Sequence, residues 1–244
     1  MTLMFEILIF SLIITALFLC FQLIRTIAKG VMNVIFWSFT LGIFLFGASR
    51  LFLLLEDSGV YQLHEVTLHV WWHIIFYLGV VSFIWGGMRL MEIAKSQTPV
   101  GFSQKDKIIF AVFLLITAGI FVIAMPLENT LMPLLVDSPI DKLGLHHFVA
   151  VILGLVAAFY LFTLKSIWGK LLTVGIMPII AFLALIGLQH LWEFLAESLK
   201  VIVLPDATIE FVEQLIVIPA LLFFNFALLR ILKVIKVNAA PQAS

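Results

Sequence analysis

The chain has 244 residues, of which 64% are hydrophobic and only 11% charged, and its formal net charge is +0. Soluble domains are about 45–50% apolar and about 25% charged. This composition therefore excludes an ordinary soluble enzyme and gives no electrostatic footprint for nucleic acid, and the mean hydropathy of +1.22 places the chain among integral membrane proteins.

A bilayer core of ~30 Å needs about 20 apolar residues per helix. Seven stretches qualify: 4–28, 31–56, 65–93, 107–127, 145–168, 171–199 and 207–236. The first has no basic region before it and no small-residue cleavage site, so it is expected to be a retained helix rather than a signal peptide. Cys20 lies inside it, as a packing or lipid-facing residue. Lys29-Gly30 separates the first two stretches, and Gly169-Lys170 the fifth and sixth. Asp57-Ser58-Gly59, the segment 96–104 with Pro99 and Gly101, and Asp137-Ser138-Pro139 carry turn chemistry. The segment 129–140 is too short to span and reads as an interfacial helix. The expected fold is all-α: a single transmembrane domain over 1–244, built as a seven-helix bundle. Open sheets would leave backbone groups unpaired in lipid.

The ends of these helices differ in charge. One set holds Arg25, Lys29, Arg89, Lys95, Lys105, Lys107, Lys165, Lys170, Arg230, Lys233 and Lys236. The other holds Lys142 and Lys200, with Arg50 inside the second helix. The positive-inside rule puts the first set in the cytoplasm, hence the N-terminus outside and the C-terminus cytoplasmic, in a plasma or bacterial inner membrane.

The extracytoplasmic half carries all 6 histidines and all of the 14 acids except Glu92 and Asp106. Ionisable groups inside membrane helices are costly and tend to face the bundle interior. On the third helix, Glu65, His69 and His73 recur every four residues and share a face. His190, Glu193 and Glu197 share a face of the sixth. Glu210 and Glu213 follow Asp206 on the seventh. His146 and His147 open the fifth; neighbours on a helix point about 100° apart, so one of the two, His147, is expected inside. If these faces converge, His69, His73, His147, His190, Glu193, Glu197, Glu210 and Glu213 form a candidate metal pocket. Without thiolates, the set suits Zn²⁺, Fe²⁺ or Mn²⁺ rather than Cu(I). Glu197 or Glu213 is placed to act as a base beside such an ion. Arg50 needs a carboxylate partner, with Glu193, Glu197, Glu210 and Glu213 as candidates. Glu6 needs only solvent. Trp71-Trp72 fits an aromatic belt at the outer headgroups.

The second–third and sixth–seventh hairpins also share a spacing. Glu56 aligns with Glu197, Glu65 with Asp206, His69 with Glu210, Arg89 with Arg230 and Lys95 with Lys236. This pattern has the form of a parallel internal repeat.

In layout the chain resembles retinal proteins and receptors. The last helix, IVIPALLFFNFALLR, lacks the mid-membrane lysine that a retinal Schiff base needs. The architecture is also similar to that of intramembrane zinc hydrolases of the ceramidase and adiponectin-receptor type. Those carry an HxxxH in the last helix, whereas here His69 and His73 put it in the third. Three readings stay open: a sensor or binding module for a metal ion, protons or a small ligand; a metal-dependent hydrolase acting on a lipid-like substrate; and a b-type haem or quinone protein with axial histidines on facing helices. The partners expected are membrane lipid and a metal ion or small ligand from outside.

Overall fold

A computed structural model describes residues 2–27, 31–96, 103–163 and 169–239. The expected turn at Lys29-Gly30, the Pro99 and Gly101 loop and the 164–168 end of the fifth span lie outside these residues. Those described form helices α1 (Thr2–Thr26), α2 (Val31–Asp57), α3 (Glu65–Ser96), α4 (Gln104–Leu135), the single turn α5 (Pro139–Lys142), α6 (Leu145–Thr163), α7 (Gly169–Glu193) and α8 (Asp206–Ala239). A π-helical turn, Phe194–Ser198, extends α7. Seven of these helices are long and apolar enough to cross a membrane, which makes the chain a multi-pass membrane protein.

The fourth helix differs from its expected extent. It does not stop near Leu127 to leave a separate interfacial helix; it continues through Pro126 and Pro133 to Leu135. Neighbouring helices and local adjustment let membrane helices tolerate proline. The short turn α5 is what remains of the expected interfacial segment.

Six helices close a ring, α1–α2–α3–α6–α7–α8 and back to α1, while α4 packs outside on α3 and α2. Small residues permit the close approaches. Gly154 on α6 meets Gly187 on α7 backbone to backbone, and Gly42 on α2 lies under the Phe83 ring of α3. Without a hydrophobic drive between helices in lipid, such packing and a few interhelical hydrogen bonds hold the bundle. Ser82 donates to the Ser38 carbonyl, and Asn225 Nδ2 donates to the Leu12 carbonyl.

The ring has two unlike halves. Phe46, Phe76, Phe83, Phe182 and Phe224 interlock on its axis, with centroid separations such as 5.0 Å for Phe182–Phe224 and 5.8 Å for Phe83–Phe182. Beyond this plug, one end of the bundle carries Arg25, Arg89, Lys105, Lys107, Arg230, Lys233 and Lys236. There Arg89 ties α3 to α4 through Asp106, with Nε 2.9 Å from Oδ1, and also pairs with Glu92. Asp106 closes a capping box with Ser103 at the start of α4. The other end carries the histidines. Glu65 and Asp206, equivalent in the proposed repeat, open α3 and α8 respectively.

The tryptophans correct another expectation. Trp72 is 4% exposed and lies against His73, with ring centroids 4.2 Å apart. Trp71 packs into the apolar cluster shared with α4. Trp72 therefore faces the bundle interior rather than a headgroup belt, while Trp71 is half-buried.

Candidate metal centre

The site is built by three helices meeting at the polar end of the ring. α3 supplies His69 and His73, four residues apart on one face. α6 supplies His146 and His147 from its first turn. α7 supplies His190 and Glu193, and the π-helical turn supplies Glu197. Two side-chain groups result: His73, His147, His190 and Glu193, all buried, and His69, His146 and His147, nearer the surface. In each group the candidate ligand atoms lie within 4.8 Å of one another.

Local chain geometry fixes α6 against α7. Gly144, just before α6, has φ +54. A Cβ there would lie 1.8 Å from the Ser198 hydroxyl. Only glycine fits a left-handed position so close to the neighbouring turn. The π-helical turn faces this glycine; such turns add a residue per turn and recur at functional sites. Glu128 on α4 secures the start of α3. Its carboxylate accepts from the His64 backbone N–H at 2.8 Å and from the Thr67 hydroxyl at 2.6 Å, which ties the head of α3 to α4. In the preceding loop, Tyr61 donates to the Phe121 carbonyl on α4, and burial pushes its phenol pKa up.

The histidine tautomers follow from their partners. His73 Nδ1 lies 2.7 Å from the His69 carbonyl, and His146 Nδ1 lies 3.2 Å from the Ile140 carbonyl. A carbonyl only accepts, so both nitrogens carry the proton. His190 Nδ1 donates to Glu193 Oε2 at 2.6 Å. In each neutral ring Nε2 is then left with a lone pair. Among the described residues, Nε2 of His73, His146 and His190 is buried and has no hydrogen-bond partner. Buried polar atoms are nearly always satisfied, and an exception calls for an explanation such as an ion. The pattern is that of metal-ligating histidines, whose second nitrogen donates to a carbonyl or carboxylate.

Glu193 is 3% exposed and central. Its Oε2 is also 3.1 Å from His147 Nδ1, and its other oxygen accepts from Gln189. His147 Nε2 points the other way, 3.7 Å from Glu197, whose side chain is 37% exposed. The floor is apolar: Phe76 and His190 have ring centroids 4.4 Å apart, and the phenylalanine plug lies beyond. The roof is open. A cavity of about 290 Å³ is lined by His64, Glu65, His69, His146, His147 and Glu197, among others.

The sequence-derived set is only partly gathered. His73, His147, His190 and Glu193 come together, and His69 and Glu197 border them. Glu210 and Glu213 line a neighbouring cavity of about 230 Å³ with Arg50, Glu6, Glu56, Glu193 and Glu197, outside both ligand groups. Arg50 is buried as expected, but its ion-pair partner is Glu6 on α1, none of the four acids named from sequence. α1 lies next to α2 in the ring and brings Glu6 across. His146 joins the site together with His147, with ring centroids 4.3 Å apart, rather than pointing away. One histidine reaches the interior and the other crosses the mouth toward His69, 5.5 Å away. His64 is exposed at the head of α3.

No protein family, curated protein or solved structure matches the chain. The site therefore has to be interpreted from its own geometry.

Proposed function

We propose that this multi-pass protein is a metal-binding module, loaded from the extracytoplasmic side with Zn²⁺ or Fe²⁺ at His73, His147, His190 and Glu193. The observation that carries this is the set of buried imidazole Nε2 atoms whose opposite nitrogens are already held by oxygen acceptors. Three imidazoles from α3, α6 and α7 supply nitrogen ligands, and Glu193 supplies a fourth when its carboxylate leaves the His190 Nδ1–H, which makes the four N/O ligands a closed tetrahedral site uses. A complete protein ligand set favours binding or sensing over catalysis, because catalytic zinc keeps a position for water. The phenylalanine plug favours one-sided access over transport. The orientation rests on the basic helix ends: Lys and Arg collect opposite the histidines, so the site faces outward with the C-terminus in the cytoplasm.

A second reading, a metal-dependent hydrolase acting on a lipid-like substrate, has one observation in its favour. Glu197 is a part-exposed carboxylate beside His147 at the mouth, where a general base would stand. The haem reading has no such support. The His73 ring packs 4.8 Å from His147 and 5.3 Å from His190, with Trp72 against it, closer than rings on opposite faces of a macrocycle stand.

The test is metal analysis and an absorption spectrum of protein purified in detergent without chelators. At least one zinc or iron per chain and no haem band are expected. Metal-free protein that also fails to take up added Zn²⁺ would overturn the proposal.

A further inference from the structure

We propose that His147 bridges two metal positions, an inner one with His73, His190 and Glu193 and an outer one at the mouth with His69 and His146. This rests on the metal-binding reading above and extends it from one ion to a pair.

Three observations converge on the outer position. First, the two ligand groups are distinct except for His147, which belongs to both. Second, the two ring nitrogens of His147 face opposite carboxylates, Nδ1 toward Glu193 at 3.1 Å and Nε2 toward Glu197 at 3.7 Å. The lone-pair directions of an imidazolate diverge, so one ring can hold two ions ~6 Å apart at ordinary metal–nitrogen distances. Third, His146 is anchored by its Nδ1 on the Ile140 carbonyl, while its buried Nε2 meets no hydrogen-bond partner among the described residues. The inner group does not include it. A histidine buried only for packing would have that lone pair satisfied.

The two positions differ in exposure and hence in chemistry. The inner ligands are all buried, whereas His69 and His146 are half-buried under the open cavity at the mouth. The outer ion has three imidazole nitrogens and an open side toward Glu197, a coordination that keeps a place for water. Bridging leaves His147 without a ring proton. That proton is released to water through the mouth, as ligand protons are when metals bind imidazole sites.

The test uses the full-length protein in detergent, stripped of metal and titrated with Zn²⁺ alone and with Cu²⁺ alone. Two Zn²⁺ per chain are expected in the wild type, falling to one in His146→Ala and in the milder His146→Gln. Two Cu²⁺ in the wild type should be spin-coupled through the shared ring, giving less than the paramagnetic resonance intensity of two independent ions. A wild type that binds one Zn²⁺, unchanged in both His146 variants, overturns the bridge and leaves the single-ion reading intact. Two bound Cu²⁺ with full, independent signals also overturn the bridge. No bound metal in any form overturns both readings. The Cu²⁺ measurement needs no variant, so a misfolded His146→Ala does not weaken the test.

Discussion

The guanidinium of Arg50 on α2 is paired with the carboxylate of Glu6 on α1, 44 residues earlier. Their side chains are 9% and 13% exposed, so each screens the other's charge where water has little access. Removing one partner of a buried pair costs about 3 kcal/mol, because the other charge is stranded. Arg50→Leu is expected to lower the thermal midpoint in detergent, and Glu6→Gln to do the same. The double variant should recover part of the loss. An additive double variant, measured by thermal unfolding, would mean that the two side chains do not interact.

Glu193 orients His190 through Nδ1 and stands beside His147. Orienting partners of metal-bound histidines are typically worth about 10–100-fold in affinity. Glu193→Gln should weaken Zn²⁺ binding by at least that range. His73→Ala and His190→Ala should abolish binding at the inner position. His64→Ala, at an exposed side chain outside both ligand groups, should leave the affinity unchanged. Calorimetric titration of each variant measures all four. An unchanged His190→Ala would exclude the inner position.

Acid should release the metal. Protons and the ion compete for the same imidazole lone pairs, so apparent affinity falls as pH falls and recovers as it rises. Each ligand imidazole that takes up a proton steepens the loss. Zn²⁺ retained after dialysis across pH 8 to 5 reports this directly. Retention that does not vary with pH would argue against histidine ligation.

Long-range polarity was readable from the chain because it depends on composition. Apolar runs longer than a bilayer fix the seven spans, and the fours-and-threes spacing of His69, His73, His190 and Glu193 fixes shared faces. The contacts that escaped are those between helices distant in sequence. Sequence alone makes Glu6 a solvent acid, whereas the ring places α1 beside Arg50. Sequence alone turns His146 outward, because adjacent residues diverge on a helix. The first turn of α6 sits at the rim, however, where one side chain reaches the interior and its neighbour spans the mouth. The helix continues past Pro126, which is exposed, and a π-helical turn occupies 194–198; no local pattern in the sequence records either irregularity.

Orientation is checked with reporters. A cytoplasmic reporter fused after Ser244 should be active, and a reporter that works only outside the membrane should be silent there. The expectation follows from the basic residues at the helix ends opposite the histidines. Activity of the external reporter at that position would invert the bundle and turn the metal site toward the cytoplasm.

Gly144 offers a way to disturb the site without touching a ligand. Its φ of +54 and the 1.8 Å gap between a hypothetical Cβ and the Ser198 hydroxyl impose two separate costs on any side chain. A left-handed conformation costs a non-glycine residue about 1–2 kcal/mol, and the clash adds to it by pushing the first turn of α6 from the π-helical turn. His146 and His147 ride on that turn and Glu197 lies on the other, so the displacement opens the mouth first. Gly144→Ala should lower the thermal midpoint and reduce Zn²⁺ affinity, with the helical circular-dichroism signal kept. Ser198→Gly removes both of the closest contacting atoms, so Gly144→Ala with Ser198→Gly should regain the part due to the clash and keep the part due to strain. If the second substitution restores nothing, the contact between the two turns does not set the position of α6. If Gly144→Ala leaves both stability and Zn²⁺ affinity unaltered, the loop before α6 is not held in the left-handed turn that brings the two histidines to α7.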